Sequence, residues 1–352
     1  GVFYWDLPYL YDQLKKGFLA FRQADVGELD CFGIDTWGVD YGLLDRNDQL
    51  LSNPRSYRLS LDTDMDAAHA VVPFPTLFAR SGIAQANFNT LYQLYRRKRE
   101  GDPALENAET MLLMPDLLGF FLTGEKKSEY TEVTTTMLYN PTTRGWDWQT
   151  IRDFGLPEKM FTPIDRAGML RGKLRPELAA ELGINQANFA AVGTHDTASA
   201  LAAIPGTGSF AFCSSGTWSL FGVETDHPIL TDAVRDAGFS NEGNAQGGFC
   251  PLSNIMGLWL IQECRRQWQK QSGPISWDEI VVQARQAEPF RTVIDPCYGE
   301  FFAGGRMIEK IQAFARRTGQ PEPQSVGQIA RCIYESLALK YRWALERLEE
   351  IK

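Results

Sequence analysis

Apolar side chains recur along this chain at helical and then at strand intervals, and the two intervals alternate. Leu10, Leu14, Phe18 and Phe21 fall on one helical face, with Asp6 placed to cap it and Pro8 in its first turn. The spacing predicts helices over residues 7–21, 90–100, 115–122, 176–182, 255–269 and 326–350. Short apolar runs at residues 30–34, 39–44, 189–192, 209–213 and 218–223 read as strands. Ser325 and Gln328 form a capping box before the last helix, whose stripe of Ile329, Ile333, Leu337, Tyr341, Leu345 and Leu348 needs a covering surface. Strands alternating with helices favour an α/β architecture. An Ala-rich run gives way to Pro205-Gly206-Thr207-Gly208, so the expected division lies between residues 1–203 and residues 204–352.

Composition adds little to the fold but narrows the partners. The 352 residues are 44% hydrophobic and 22% charged, which is ordinary for globular protein and enough for two cores. Net charge is −9 and no basic block is interleaved with aromatics, which argues against nucleic acid. No apolar run is long enough for a membrane span. The six cysteines are scattered without a C-x-x-C pair, so a disulfide framework or zinc site is not expected and a reducing cytoplasm fits. Three histidines, His69, His195 and His227, have no metal-ligand spacing. There is no G-x-x-x-x-G-K-[ST] loop, no protein-kinase H-R-D or D-F-G motif and no G-x-S-x-G elbow.

The candidate chemistry lies between Val192 and Glu224. A buried strand ends at Gly193, and Thr194-His195-Asp196 opens a helix-prone run starting at Thr197. Two strand-like pieces follow, joined by Ser214-Ser215-Gly216-Thr217. Small residues with amides and hydroxyls suit an anionic oxygen, and a carboxylate can take the proton of an attacking hydroxyl. Each residue also has a structural alternative. Asp196 could cap the helix at Thr197, His195 could be a structural hydrogen-bond partner, and the Ser-Ser-Gly-Thr turn could be an ordinary hairpin. Asn254 reads first as a helix N-cap, Gln262 as a solvated polar residue and Gly38 as a turn glycine. Trp37 is either a sugar-stacking ring or core.

Gly33-Ile34-Asp35-Thr36-Trp37-Gly38-Val39-Asp40-Tyr41, Phe88-Asn89-Thr90-Leu91-Tyr92-Gln93-Leu94 and Leu113-Met114-Pro115-Asp116 occur in that order. Glu129-Tyr130-Thr131-Glu132, Thr134-Thr135-Thr136, His195-Asp196-Thr197 and Asn254-Ile255-Met256-Gly257-Leu258-Trp259-Leu260 continue the series. Colinearly over nearly the whole chain, these segments resemble the FGGY carbohydrate kinases, and among them the rhamnulokinase branch. The resemblance implies a ribonuclease-H-like, actin-type α/β fold of two domains with a cleft between them. It also implies ATP-dependent phosphorylation of a ketose such as L-rhamnulose to its 1-phosphate, with Mg²⁺. The alternatives are L-fuculose or another ketose, or a non-catalytic sugar-binding remnant. By the same resemblance Asp196 is the base, Gly38 and His195 to Thr197 hold the sugar, and Thr217, Asn254 and Gln262 contact the nucleotide; no protein-held metal is expected.

Three departures from the family pattern bear on this reading. A first phosphate segment is expected before residue 1 and a Gly-rich adenosine segment after residue 352, so the 352 residues by themselves are expected to bind ATP weakly and to be inactive. The branch usually reads Tyr-Arg-Asp-x-Arg-Thr where this chain has Tyr57-Arg58-Leu59-Ser60-Leu61-Asp62. Losing both members of a charge pair strands no partner, yet it bears on sugar affinity or domain contacts.

Overall fold

The computed structural model describes residues 2–59, 61–206 and 208–351, with the backbone alone at Leu59. The chain forms two compact units: residues 1–206 together with 224–251, and residues 207–223 together with 252–352. The segment 224–251 thus returns to the first unit after a hairpin in the second.

In the first unit the helix Leu7–Gln23 is capped as expected, with Asp6 accepting the Tyr9 amide at 3.1 Å. Leu10, Leu14 and Phe18 turn inward against Leu117, Leu182 and Phe189. Strand Cys31–Phe32 runs parallel to Asn188–Ala190, which pairs antiparallel with Leu170–Lys173. A second pair, Tyr41–Leu44 with Thr110–Leu113, is antiparallel and buried throughout. Helices Thr90–Arg99, Met114–Thr123 and Pro176–Leu182 lie where the periodicity predicts them.

In the second unit, Ala211–Ser215 pairs antiparallel with Trp218–Val223, which pairs in turn with residues 252–256 of the strand Phe249–Met256. The last helix, Val326–Ile351, carries the capping box: Ser325 Oγ accepts the Gln328 amide and Gln328 Oε1 accepts the Ser325 amide, both at 3.2 Å. Its stripe is covered within the unit. Ile329, Ile333, Leu337 and Leu348 are buried, Tyr341 stacks on Phe221, and Gly327 passes close to the Gln283 carbonyl of helix Trp277–Gln286. Leu345 stays exposed.

One element differs from expectation. The helix predicted over 255–269 begins only at Trp259 and runs to Ser272, and residues 254–256 are strand. Asn254 pairs with Leu220 in the sheet, so it is not a helix cap. The strand is buried on both faces, and its apolar run therefore lacks the alternation that separates strand from helix. Among the described residues, no helix is long and apolar enough to cross a membrane.

Candidate active site

The short helix Tyr130–Thr134 and the residues after it organise the first unit's site. Three threonines each donate inward and accept an incoming amide, which is what one hydroxyl can do at once. Thr131 Oγ1 donates to Glu129 and accepts His195 N at 3.1 Å. Thr134 Oγ1 donates to Thr131 O and accepts Gly243 N at 2.7 Å. Thr135 Oγ1 donates to Glu132 O and accepts Val39 N at 3.2 Å. Segments far apart in sequence are gathered on one turn of helix.

The segment 36–40 is held in a strained shape. Val39 has φ +68°, a region unfavourable for a β-branched residue, and the Asp40 amide closes a three-residue turn onto Gly38 O at 2.9 Å. Thr90 Oγ1 and Gln93 Nε2, one helical turn apart, both donate to Val39 O, at 2.7 and 3.3 Å. Asp40 is fully buried among donors: Trp5 Nε1 at 2.6 Å, Trp37 Nε1 at 3.1 Å, Gln93 Nε2 at 3.2 Å and the Tyr57 amide at 3.3 Å. Burial nevertheless pushes its carboxyl up to about 6, against the pull of these donors. Trp37 packs on Trp5, ring centroids 4.1 Å apart, and is half-buried. The turn leaves Gly38 facing Thr135 and His195: a Cβ there would lie 3.2 Å from Thr135 Oγ1 and 3.4 Å from His195 Nε2.

The segment 194–197 is held from below. Glu129 Oε2 accepts Thr194 N at 3.1 Å and Thr194 Oγ1 at 2.8 Å, while its Oε1 has no hydrogen-bond partner among the described residues. Burial raises the Glu129 carboxyl above its ordinary value, offset by the threonine donors. Asp196 is the first residue of helix Asp196–Ala202 and makes no capping bond; His195 occupies the N-cap position, also without one. The capping alternative for Asp196 therefore fails, and its side chain is 57% exposed, with Thr197 Oγ1 donating to it at 3.3 Å. His195 is buried, with Nε2 3.7 Å from Asp196 Oδ1 and Nδ1 3.4 Å from Glu242 Oε2. Gly38, His195, Asp196 and Thr197 are thus brought together.

Beneath the site lies an acidic interior. Arg171 binds Asp165 and Asp116, all buried. Glu132 is fully buried, and neither of its carboxyl oxygens has a hydrogen-bond partner among the described residues. Burial drives its pKa well up, reinforced by the charges of Asp116, Asp196, Glu129 and Asp40.

In the second unit, the turn 216–218 is fixed from the adjoining sheet and helix. The Gly216 amide donates to Trp218 O at 2.8 Å, so it is not available to a phosphate as the sequence suggested. Gly216 O accepts the Leu258 amide at 2.9 Å, and Thr217 O accepts those of Gly257 and Trp259, at 3.1 and 3.2 Å. A Cβ on Gly257 would fall 2.5 Å from Ser219 Oγ, so only glycine fits. Thr217 is left half-exposed at the tip; Ser214 and Ser215 end their strand. Asn254 lies on the strand beside this hairpin, and Gln262, half-buried, on the helix Trp259–Ser272. Of the altered segment 57–62, Ser60 and the Leu59 side chain lie outside the described residues. Leu61 is 51% exposed and fills no core space.

Asp40, Glu129, Thr131, Thr135 and Glu242 were not singled out from the sequence as site residues. The first four lie in the motifs given above, where an acid within a few residues of Trp or Thr is the available signal. Glu242 had none.

The chain belongs to the FGGY family of carbohydrate kinases: the family's N-terminal domain matches residues 20–203 and its C-terminal domain residues 211–352. It is a carbohydrate kinase of the two-domain sugar-kinase fold. It is 39% identical to the rhamnulokinase of Bacteroides thetaiotaomicron, over 100% of this chain and 72% of that protein. To the rhamnulokinase of Oceanobacillus iheyensis it is 38% identical, over 100% of this chain and 74% of the relative. The gluconate kinase of Lactobacillus acidophilus superposes with a TM-score of 0.75 at 14% identity, over 99% of this chain and 70% of that one. Plasmodium falciparum glycerol kinase with ADP superposes with a TM-score of 0.68 at 13% identity, over 97% and 69%. At such identities the two superpositions speak for the fold alone.

Proposed function

We propose that this protein transfers the γ-phosphoryl group of ATP to O1 of a ketose, converting L-rhamnulose to L-rhamnulose 1-phosphate in the cytoplasm, where ATP is supplied. The observation that carries the reading is the exposed Asp196 carboxylate, which has no capping duty and stands beside His195 and Gly38. The likeness to rhamnulokinases over the whole chain supports the choice of sugar.

A sugar hydroxyl is a poor nucleophile at neutral pH, and a carboxylate within hydrogen-bond reach takes its proton as transfer proceeds. In the proposed reaction the O1–H proton passes to Asp196 and O1 forms the new bond to phosphorus. The bond from that phosphorus to the bridging oxygen breaks, and ADP leaves with the electron pair. Gly38, His195 and Thr197 hold the ketose; Gly38 permits close approach because a side chain there would crowd Thr135 and His195. Thr217, Asn254 and Gln262 are assigned to the nucleotide. Mg²⁺ is assigned to ATP, where it would help to neutralise the phosphate charge.

The test is a panel of ketoses assayed for ATP consumption with the full-length protein. L-rhamnulose is expected to give the highest kcat/KM. A better L-fuculose or other ketose would replace the sugar, and no consumption with any ketose would favour the non-catalytic reading.

A further inference from the structure

His195 sits between two carboxylates that differ in setting. Asp196 is exposed and lies 3.7 Å from Nε2; Glu242 is buried, its side chain 7% exposed, and lies 3.4 Å from Nδ1. A buried carboxylate interacts more strongly with a ring N–H than an exposed one, because less water screens the pair. We propose that Glu242 is a positioning residue for the sugar site: its buried Oε2, which faces Nδ1 without a hydrogen bond to it, favours the tautomer of His195 with the proton on Nδ1 and so keeps Nε2 towards the ketose beside Gly38. The inference rests on the reading of this site as sugar-binding, and nothing in that reading assigned a role to Glu242.

Both sides of the contact are rigid. Glu242 lies in the strand Ser240–Gly243, whose neighbours are pinned on either side of it. Asn241 N donates to Gly82 O at 2.8 Å, Asn241 Nδ2 donates to Gly82 O and Ile229 O, and Asn241 Oδ1 accepts the Ile229 amide at 2.7 Å. Gly243 N donates to Thr134 Oγ1, and a Cβ on Gly243 would lie 2.6 Å from the Tyr130 ring, which leaves the strand no room to shift. On the other side the His195 amide is held by Thr131 and its segment by Thr36. Glu242 therefore meets the ring from a fixed direction. A ring flipped about χ2 would put Cε1 where Nε2 stands; a carboxylate beside Nδ1 disfavours that flip and keeps Nε2 towards the sugar.

The test reads the ring directly. In the full-length protein labelled with ¹⁵N-histidine at pH 8, His195 Nδ1 is expected to carry a proton. In Glu242→Gln, a near-isosteric change, the Nδ1 resonance is expected to move towards the unprotonated position. L-rhamnulose affinity by calorimetry should fall by about tenfold, as the ring loses the charge that favours its Nδ1–H form, with ATP affinity unchanged. Glu242→Asp should restore part of the loss. An unprotonated Nδ1 in the wild-type protein overturns the proposal, and needs no variant to fold. So does a Glu242→Gln protein with an unmoved Nδ1 signal or unaltered sugar affinity. If the wild-type protein binds no L-rhamnulose, the functional reading fails, while the ring signals still decide whether Glu242 holds His195.

Discussion

Thr36 and His195 pair across two loops as if they were parallel strands: Thr36 N donates to Thr194 O at 2.9 Å, and Asp196 N donates to Thr36 O at 2.8 Å. This pairing joins the loop carrying Gly38 to the one carrying Asp196, so the proposed sugar contact and the proposed base move as one piece. Their relative position is set by backbone bonds, with Thr131 and Thr135 of the neighbouring helix bracing each loop. Side-chain changes at the site should therefore act on binding or chemistry more than on loop placement.

Gly38→Ala puts a methyl within 3.2 Å of Thr135 and 3.4 Å of His195 Nε2. The expected outcome is a rise in KM for the ketose of about tenfold, as the ring is pushed off line, with KM for ATP unchanged. Steady-state kinetics with each substrate varied in turn check this; equal changes in both would indicate a general loss of structure.

The raised Asp40 carboxyl makes a pH prediction. With a folded pKa of about 6 against an ordinary 3.8, the native state holds more protons than the unfolded state between these values. Stability then falls as pH rises through that window, by a contribution of up to roughly 3 kcal/mol. Chemical denaturation of wild type and Asp40→Asn from pH 4 to 7 isolates it: wild type should lose stability relative to the variant as pH rises. The opposite trend would mean that the four donors around Asp40 outweigh its burial.

Glu132 has no hydrogen-bond partner for either carboxyl oxygen among the described residues and a pKa driven well up by burial. Its ionisation opposes folding, so the stability it permits is present at low pH and is lost as pH rises through the raised value. Glu132→Gln, which cannot ionise, should melt higher than wild type at pH 8 and show a smaller advantage at pH 5. Thermal unfolding at the two pH values decides; a variant less stable at pH 8 would point to a partner for the ionised form.

Much of this arrangement was legible in the chain, though unevenly. The helices Leu7–Gln23, Thr90–Arg99 and Val326–Ile351 follow their apolar periodicity because each buries one face and exposes the other. The strand Phe249–Met256 hides both faces, so its apolar run continues into the following helix with no break in the pattern, and Asn254 looks like a cap while lying in the sheet. Asp196 and His195 stood out because they open a helix after a turn. Glu242 did not: its contact with His195 spans 47 residues and comes from fold topology, which no local spacing encodes. Asp40 lay within a quoted motif, but the four donors that surround it come from residues 5, 37, 57 and 93.

In the second unit, Thr217 is proposed to face phosphate from a turn whose carbonyls are tied to residues 257–259. Thr217→Val should weaken ATP use while leaving ketose affinity unchanged. Gly257→Ala should do the same and also lower stability, since its methyl would collide with Ser219 and the Gly216 carbonyl. Calorimetry with each ligand, together with melting curves, separates the two. Equal loss of both ligands in Thr217→Val would make the turn a structural hairpin only.

The most direct test of the account is turnover and sugar binding in the full-length Asp196→Asn protein. The exposed carboxylate caps no helix, so its removal should leave the fold and L-rhamnulose affinity within a few-fold of wild type. Turnover should fall by roughly 10²–10⁴, the usual contribution of a general base. An Asn variant that phosphorylates L-rhamnulose at near wild-type rate would contradict the assignment of Asp196 as the base.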